Sequence, residues 1–275
     1  MTAITDVLRR LEACYDAIPR VAGARVEEWG PFLLFVREPP GWPYYARPRA
    51  GAEAADVADV EAVRARQREL GMPEAFEWVH DLAPGLIEAV AASGLNVLEA
   101  PLMVLDPDRL PPARHPASLL DPDAADFADT HAVSAAVARI AFGVVSTGGA
   151  TPAGTAERDA AIATPDPAVI AHAASGIRAG RTAEAVLHAP GLGVVARGGL
   201  QRASGAAEIV GVATLPSARR QGYGAAVSAT LARHALALGD DLVFLSAASQ
   251  DVARVYERIG FRRVGTACIA GPPPK

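Results

Sequence analysis

The segment that most constrains this chain is a strand-like run, Ala207 to Pro216, followed by a loop and a helix pattern that opens on glycines. The loop and helix start read Arg219-Arg220-Gln221-Gly222-Tyr223-Gly224-Ala225. Glycines there allow a tight backbone turn, so that several N–H groups at the start of the helix point at one place. The helix dipole adds positive potential at the same end. The pattern therefore predicts a cradle for a pyrophosphate group, built from backbone groups rather than from lysine.

Two other phosphate-binding motifs are excluded because the chain lacks residues that they require. All 26 basic residues are arginine except Lys275. This excludes the lysine-dependent phosphate loop and enzymes built on a lysine Schiff base. A dinucleotide fingerprint needs its third glycine at position 227, where this chain has Val227. A hydrolase is disfavoured as well, because no Gly-x-Ser-x-Gly elbow occurs.

Composition places the chain among globular proteins. It is 51% hydrophobic and 21% charged with a net charge of -5, which excludes the disordered and polybasic classes, and we expect no nucleic-acid partner. The six histidines lack ligand spacing and the two cysteines form no Cys-x-x-Cys, so neither a metal site nor a disulfide framework is expected. Charges interrupt residues 1–20 and glycines interrupt the longest uncharged run, so we expect a cytoplasmic protein with no membrane partner.

A proline-rich stretch, Asp106 to Pro116, is the predicted domain boundary, because proline blocks both helix continuation and strand pairing. It divides the chain into residues 1–112 and 113–275. The first part has 11 arginines against 18 acidic residues and the second has 15 basic against 13 acidic residues. A polyanionic ligand would therefore prefer the second part, although solvated charged faces explain the asymmetry equally simply.

Periodicity predicts an α/β chain. The first part is predicted as strands and helices in the order β, β, α, β, α, β: Arg25 to Arg37, Trp42 to Arg47, Asp56 to Leu70, Phe76 to Val79, Pro84 to Ser93 and Val97 to Leu105. The second part is predicted as two helices followed by β, β, β, α, β, α, β: Asp123 to about Phe142, Pro167 to Ala179, Ala183 to His188, Gly193 to Leu200, Ala207 to Leu215, Gly222 to Leu238, Leu242 to Ser246, Asp251 to Ile259 and Phe261 to Ile269.

The helix-opening motif is one of two signatures that occur together, the other being Val255-Tyr256-Glu257-Arg258-Ile259-Gly260-Phe261 about 30 residues downstream. The combination resembles the GNAT superfamily of acyl-CoA-dependent N-acyltransferases. Arg219, Gly222 and Gly224 match the family's Arg/Gln-x-x-Gly-x-Gly/Ala motif, and the downstream run matches its Tyr-x-x-x-Gly-Phe helix ending. The resemblance covers Leu119 to about Ile269. It implies an α/β (α+β) fold with a mixed central sheet flanked by helices.

The resemblance also implies a set of cofactor contacts. Backbone groups of Val212, Ala213 and Thr214 would pair with the pantetheine arm of acetyl-CoA. Backbone amides would hold the pyrophosphate, and they belong to Arg220, Gln221, Gly222, Tyr223, Gly224 and Ala225. Many members have an asparagine seven residues before the tyrosine, where this chain has Ser249, which can cap a helix and reaches less far.

Two side chains are candidates for proton transfer. Tyr256 falls where many members place the acid that protonates the departing thiolate, and helical spacing predicts that Val252, Val255, Tyr256 and Ile259 face inward. A core aromatic with a satisfied hydroxyl is the alternative for Tyr256. Glu208, fourteen residues before Gly222, resembles the base of the histone-acetyltransferase branch, and its apolar neighbours would raise its pKa. An exposed glutamate at a strand start is the alternative for Glu208.

The first part of the chain resembles a smaller, degenerate copy of the same fold without catalytic residues. Val90 stands where Tyr256 would map. Aromatic residues there line an acceptor cleft or fill a domain interface: Trp29, Trp42, Tyr44, Tyr45 and Trp78. The leading hypothesis is transfer of an acetyl group from acetyl-CoA to an amine of a small molecule or peptide, and the alternative is a CoA-binding module without catalysis. A homodimer is left open.

Overall fold

The computed structural model describes residues 3–38, 43–112, 114–143 and 152–273. Within these residues the chain forms eight α-helices and eleven β-strands. The helices are α1 (Ala3–Val21), α2 (Val57–Glu69), α3 (Leu86–Ala92), α4 (Phe127–Ala141), α5 (Thr155–Ala160), α6 (Pro167–Arg178), α7 (Tyr223–Ala237) and α8 (Gln250–Glu257). The strands are β1 (Arg25–Trp29), β2 (Phe32–Val36), β3 (Arg47–Pro48), β4 (Phe76–Val79), β5 (Asn96–Leu105), β6 (Ser118–Leu119), β7 (Thr182–Ala189), β8 (Gly193–Ala203), β9 (Ala206–Thr214), β10 (Leu242–Ser246) and β11 (Phe261–Gly271).

The chain divides into two compact units. The first contains the described residues up to Val104, together with Ser246–Arg254 and those from Arg262 onwards, and the second contains Leu105–Leu245 and Val255–Phe261. This division differs from the predicted ranges 1–112 and 113–275, because β11 pairs with β4 and so joins the end of the chain to the first unit. The division into independently folding domains near residue 112 stays a prediction.

The first unit contains two groups of strands. The strands β1, β2 and β3 form an antiparallel sheet, and β11 lies between β4 and β5. Apolar side chains of both groups fill one core, in which Phe32 and Phe76 meet edge to face with ring centroids 5.3 Å apart. Trp78 is fully buried in this core and Trp29 packs against it. Both residues therefore serve packing, whereas Trp42 lies outside the described residues.

The second unit is built on a five-stranded mixed sheet in the order β10-β9-β8-β7-β6. The pairs from β6 to β9 are antiparallel, and β10 runs parallel to β9. The helix α7 packs against β7, β8 and β9, while α4 packs against β8 and β9. Gly198 of β8 lies against Val227 and Leu231 of α7, where a Cβ would come within 2.8 Å of Val227. Glycine at 198 therefore lets α7 approach the sheet closely.

Most predicted elements agree with the structure to within a few residues. The exceptions have identifiable causes. The predicted strand from Trp42 to Arg47 is wrong: among its described residues only Ala46 and Arg47 pair with other strands, and Pro43 has no N–H for a ladder. Helix α1 was not predicted, although Leu8, Leu11, Tyr15 and Ile18 form its buried stripe, because charged residues interrupt its apolar positions along the sequence. The predicted strand from Arg25 to Arg37 is a hairpin whose turn is at Gly30, with φ +55°. The short elements α5 and β6 carry no periodicity and were also missed.

The inward face of α8 was predicted correctly for Tyr256 and Ile259 but not for Val252 and Val255. Ala253, Tyr256 and the following Ile259 are buried, whereas Val252 and Val255 are more than a third exposed. Residues 253, 256 and 259 recur every three positions, which suits a helix that tightens towards its end. Apolar side-chain type was therefore a poor guide in this short helix.

Candidate cofactor site and active site

The strands β9 and β10 form a short parallel ladder. In the described residues their pairing covers only Ala206 to Glu208 of β9, opposite Leu242 to Phe244 of β10. Beyond Glu208, the backbone of β9 leaves this ladder. Glu208 thus lies where the two strands part, and only 8% of it is exposed. The alternative of an exposed glutamate is wrong.

A β-bulge interrupts β9 just beyond that point. Arg197 of β8 pairs with Ala213, and Gly199 pairs with Val210, so β9 contains one extra residue between the two pairs. Gly211 has φ +58° and is exposed, a conformation that glycine adopts at little cost. Bulges of this kind redirect backbone groups away from the ladder and are frequent beside active sites. Here the redirected peptide joins Gly211 to Val212.

The loop after β9 contains the residues predicted to form the cradle. A single 3-10 turn, Pro216–Ala218, leads from the strand to the start of α7. Arg220 and Gly222 both have left-handed backbone, with φ +65° and +81°. Residues 219–222 are exposed. A non-glycine residue held in the left-handed region is strained, and such strain is concentrated at functional sites.

The first turn of α7 has no side-chain cap among the described residues, since its N-cap is Gly222. The amides of Tyr223, Gly224 and Ala225 occupy the positions that lack an intrahelical partner. Together with the helix dipole they form an anion-binding end. The geometry thus fits a diphosphate.

Gly224 joins this turn to the end of β9. A Cβ on Gly224 would lie 3.5 Å from Thr214 Oγ1 and 3.7 Å from Val212 Cγ1. The structure therefore brings together Val212, Thr214 and the helix start. Ala213, between them on β9, is buried.

The side chains of the cradle have mostly local partners. Arg219 donates to the carbonyl oxygens of Ala141 (3.0 Å) and Thr214 (3.4 Å), which fastens the loop to the end of α4 and to β9. The Tyr223 hydroxyl donates to Gln221 Oε1 at 2.9 Å. The ring of His115, which was not predicted, meets Tyr223 edge-on with centroids 5.0 Å apart. His115 also lies 3.8 Å from where a Cβ on Gly222 would be.

Tyr256 is buried and hydrogen-bonded. Only 8% of it is exposed, and its ring centroid lies 5.9 Å from that of Phe261. Burial raises the pKa of Tyr256 to about 12, against the opposing effect of a hydrogen bond with Ser228. Ser228 in turn donates to the Gly224 carbonyl oxygen at 2.9 Å. Ser228 was not predicted, yet it links Tyr256 to the helix that carries the cradle.

Ser249 acts as the cap of α8. Its hydroxyl oxygen accepts a hydrogen bond from the Val252 amide at 3.3 Å, and its carbonyl oxygen accepts one from Ala253 at 2.9 Å. The side chain is exposed. The capping role expected of a serine is present, and a contact with the cofactor stays a prediction.

The described residues lack two other kinds of feature. None of the described helices combines the length and apolar character needed to cross a membrane. In the same ranges, no cluster of three or more histidine, cysteine or acidic side chains is arranged to hold a metal ion.

Comparison with known proteins identifies the fold. Residues 191–269 match the family model of FR47-like proteins. A GCN5-related N-acetyltransferase from Kribbella flavida is 23% identical, and the match covers 98% of this chain and 96% of that one with a TM-score of 0.67. A GCN5-related N-acetyltransferase-like protein from Streptococcus suis is 13% identical, with coverage of 98% and 99% and a TM-score of 0.54. Comparison with curated proteins gave no match.

The family model covers the strand, bulge, cradle and α8 described above, and the Kribbella flavida structure follows the chain through both units. The chain therefore has the fold of the GCN5-related N-acetyltransferases, and its residues 191–269 are similar to FR47-like proteins.

Proposed function

We propose that the protein is an N-acetyltransferase that moves an acetyl group from acetyl-CoA to a primary amine of a small molecule or peptide in a ternary complex. The observation that carries this proposal is the arrangement of β9 and α7. A bulged strand ends against a helix start whose first amides have no side-chain cap among the described residues. A strand edge suits an amide-containing arm, and the helix start suits a diphosphate.

The residues present fit coenzyme A as a ligand. The amides from Arg220 to Ala225 would hold its diphosphate, and the backbone of Val212, Ala213 and Thr214 would bind its pantetheine arm. Arg220 is exposed and adds positive charge beside the cradle. Ser249 is the weakest member of the proposed set, because its hydroxyl already caps α8.

Acetyl-CoA supplies a thioester, whose acyl carbon accepts an amine and releases a thiolate. In the proposed reaction Glu208 accepts the proton that the amine loses as the C–N bond forms. The Val212 amide donates to the carbonyl oxygen, where negative charge develops. Tyr256 gives its proton to the sulfur as the C–S bond breaks, and it is reprotonated from solvent. A pKa of about 12 keeps Tyr256 protonated until that step.

A CoA-binding module without catalysis is the second candidate. One observation favours it: the Tyr256 hydroxyl is buried and already bonded to Ser228. In that case Tyr256 would be a core aromatic, and Glu208 a structural carboxylate. Binding of CoA would then persist without transfer.

Calorimetry and thiol release distinguish the two candidates. We expect the purified protein to bind both CoA and acetyl-CoA, and to release CoA thiol in the presence of a suitable amine from a broad panel. Glu208→Gln should lower kcat by about 100-fold, the usual scale for loss of a general base. Glu257→Gln is the matched control, because Glu257 is exposed beside Tyr256. Binding without thiol release from any amine would favour the module, and absence of binding would contradict both candidates.

The acceptor is best approached by mass spectrometry of ligands that stay bound through purification. The acidic first part of the chain, with 11 arginines against 18 acidic residues, favours a cationic acceptor. A cytoplasmic location and a homodimer also stay predictions.

A further inference from the structure

A buried cluster of polar side chains lies beside the bulge of β9. Its centre is Glu184 of β7, which is 7% exposed. One carboxylate oxygen accepts from Arg197 Nη2 at 3.0 Å and from the Ser134 hydroxyl. The other lies 2.8 Å from His131 Nδ1. Each oxygen of this carboxylate is therefore bonded.

Glu184 is held in its ionised form. Burial acts to raise its pKa, but the Arg197 charge and the hydrogen bonds from His131 and Ser134 outweigh burial and lower the pKa to about 2. A carboxylate that is fixed and ionised orients the guanidinium bound to it. Arg197 donates in addition from Nε to the Ser134 hydroxyl oxygen at 3.1 Å. The Arg197 side chain thus has a defined direction.

The third guanidinium nitrogen of Arg197 reaches the bulge. Arg197 Nη1 donates to the Gly211 carbonyl oxygen at 3.1 Å. A Cβ on Gly211 would lie only 2.8 Å from the same nitrogen, so the guanidinium fills the space that a side chain at 211 would need. The arginine therefore connects a buried carboxylate on β7 with the irregular backbone of β9.

The cluster and Glu208 share one face of the sheet. Glu184 lies opposite Gly199, Gly199 lies opposite Val210, and Gln201 lies opposite Glu208. Paired residues point to the same face and alternate residues along a strand do so too. Glu184, Arg197, Val210 and Glu208 therefore point to the face covered by α4. Arg197 acts from the side on which the proposed base lies.

The carbonyl of Gly211 and the N–H of Val212 belong to one peptide group. Because that group is planar and trans, its C=O and N–H point in opposite directions, and fixing one fixes the other. A hydrogen bond to the carbonyl also polarises the peptide, which makes its N–H a stronger donor.

We propose that Arg197, anchored by Glu184, is a positioning residue that aims the Val212 N–H at the thioester carbonyl. This inference rests on the proposed function. It predicts a specific failure: without the guanidinium, the diphosphate is still bound but the carbonyl is no longer polarised.

The test compares Arg197→Met and Arg197→Lys with Arg202→Met. Arg202 is on the same strand, has the same side-chain exposure of 17% and is paired with Asp240, so its loss removes a similar ion pair away from the bulge. For Arg197→Met we expect kcat to fall by about 10- to 100-fold, below the loss for deleting an oxyanion donor, because the N–H remains. KM for acetyl-CoA should stay within about threefold, and Arg197→Lys should recover part of kcat.

Infrared difference spectra of bound acetyl-CoA labelled with 13C at the carbonyl supply a readout that a merely structural role would not move. The stretch should shift towards that of the free thioester in Arg197→Met and stay unchanged in Arg202→Met. An unshifted stretch with wild-type kcat would overturn the proposal.

If the wild type does not bind acetyl-CoA, the proposed function fails. Amide exchange at Val212 in the free protein then decides the positioning claim, which is overturned if Arg197→Met leaves that exchange unchanged.

If Arg197→Met fails to fold, Arg197→Lys and Glu184→Gln carry the same comparison. Glu184→Gln keeps the side-chain shape but removes the charge that orients the guanidinium. It should shift the carbonyl stretch in the same direction by a smaller amount. Wild-type spectra in both variants would contradict the proposal.

Discussion

Gly224 in the first turn of α7 faces Thr214 at the end of β9, and a Cβ on Gly224 would lie 3.5 Å from the Thr214 hydroxyl oxygen. That is ordinary van der Waals contact. A Cβ on Gly222, two residues earlier, would make an ordinary van der Waals contact with the His115 ring at 3.8 Å, but Gly222 has a φ of +81°. The two glycines of the motif therefore differ: the backbone conformation of Gly222 favours glycine, whereas Gly224 has room for a Cβ.

The first prediction tests this difference between Gly222 and Gly224. Gly224→Ala should fold with unchanged or slightly higher stability, because alanine is favoured over glycine in a helix by about 0.5–1 kcal/mol. Gly222→Ala should lose about 1–2 kcal/mol, because the left-handed conformation is strained for a residue with a Cβ. Urea unfolding measures both values. Calorimetry with CoA should show weaker binding for Gly222→Ala alone, and equal binding by the two variants would contradict the cradle assignment.

Tyr256 provides the second prediction. Tyr256→Phe should lower kcat by about 100-fold while the affinity for CoA is retained, because only the proton donor is lost. Tyr15→Phe is the control, since it removes a hydroxyl from another buried tyrosine in the first unit. With a pKa of about 12, Tyr256 stays protonated from pH 7 to pH 10, so transfer in the wild type should not decline over that range through loss of this proton. If Tyr256→Phe keeps the wild-type kcat, Tyr256 is not the proton donor and the core-aromatic interpretation is favoured.

Local patterns predicted the backbone of the candidate site where single residues determine its conformation. The glycines at 222 and 224 and the apolar run of β9 could each be recognised without knowing the fold. Contacts between side chains on neighbouring strands could not be predicted in this way. Arg197 and Glu184 are thirteen positions apart in the sequence, and only the register of β7 and β8 makes them neighbours. A charged residue within each of two adjacent apolar strands was the available signal.

Most helices and strands of the second unit followed from periodicity, whereas the pairing of β11 with β4 did not. These strands are joined by antiparallel pairs from Ala267 with Val79 to Ala270 with Phe76. Nearly 200 residues of sequence separate the partners, so no local pattern indicates the pairing. The same applies to Arg47, whose carboxylate partners Glu12 and Glu77 come from distant segments.

The third prediction concerns acid stability. The folded pKa of Glu184 is about 2, below its unfolded value of about 4.3, so its contribution is present above pH 4.3 and lost as the pH falls towards 2. The shift corresponds to about 3 kcal/mol. The free energy of unfolding should therefore fall less steeply between pH 4.5 and 3 in Glu184→Gln than in the wild type. Glu88→Gln, at an exposed position, should keep the wild-type slope. Equal slopes in all three proteins would contradict the assignment.

The last prediction concerns a buried ion cluster in the first unit. Arg47 is 4% exposed by its side chain and donates to Glu12 at 2.9 Å and to Glu77 at 2.6 Å. Arg47→Met leaves both carboxylates without their cation, and loss of one partner of a buried pair costs about 3–5 kcal/mol. Arg49→Met, at an exposed position two residues away, should cost less than about 0.5 kcal/mol.

The loss of unfolding free energy caused by Arg47→Met should depend on pH. Burial already raises the pKa of Glu77, and Arg47 opposes that shift. Without Arg47 the folded pKa of Glu77 should rise further above its unfolded value, so folding binds a proton and stability is lost as the pH rises. The deficit of Arg47→Met in urea unfolding should therefore be smaller at pH 5 than at pH 7.5. A deficit that is constant across this range would show that packing around the arginine, rather than its charge, stabilises the first unit.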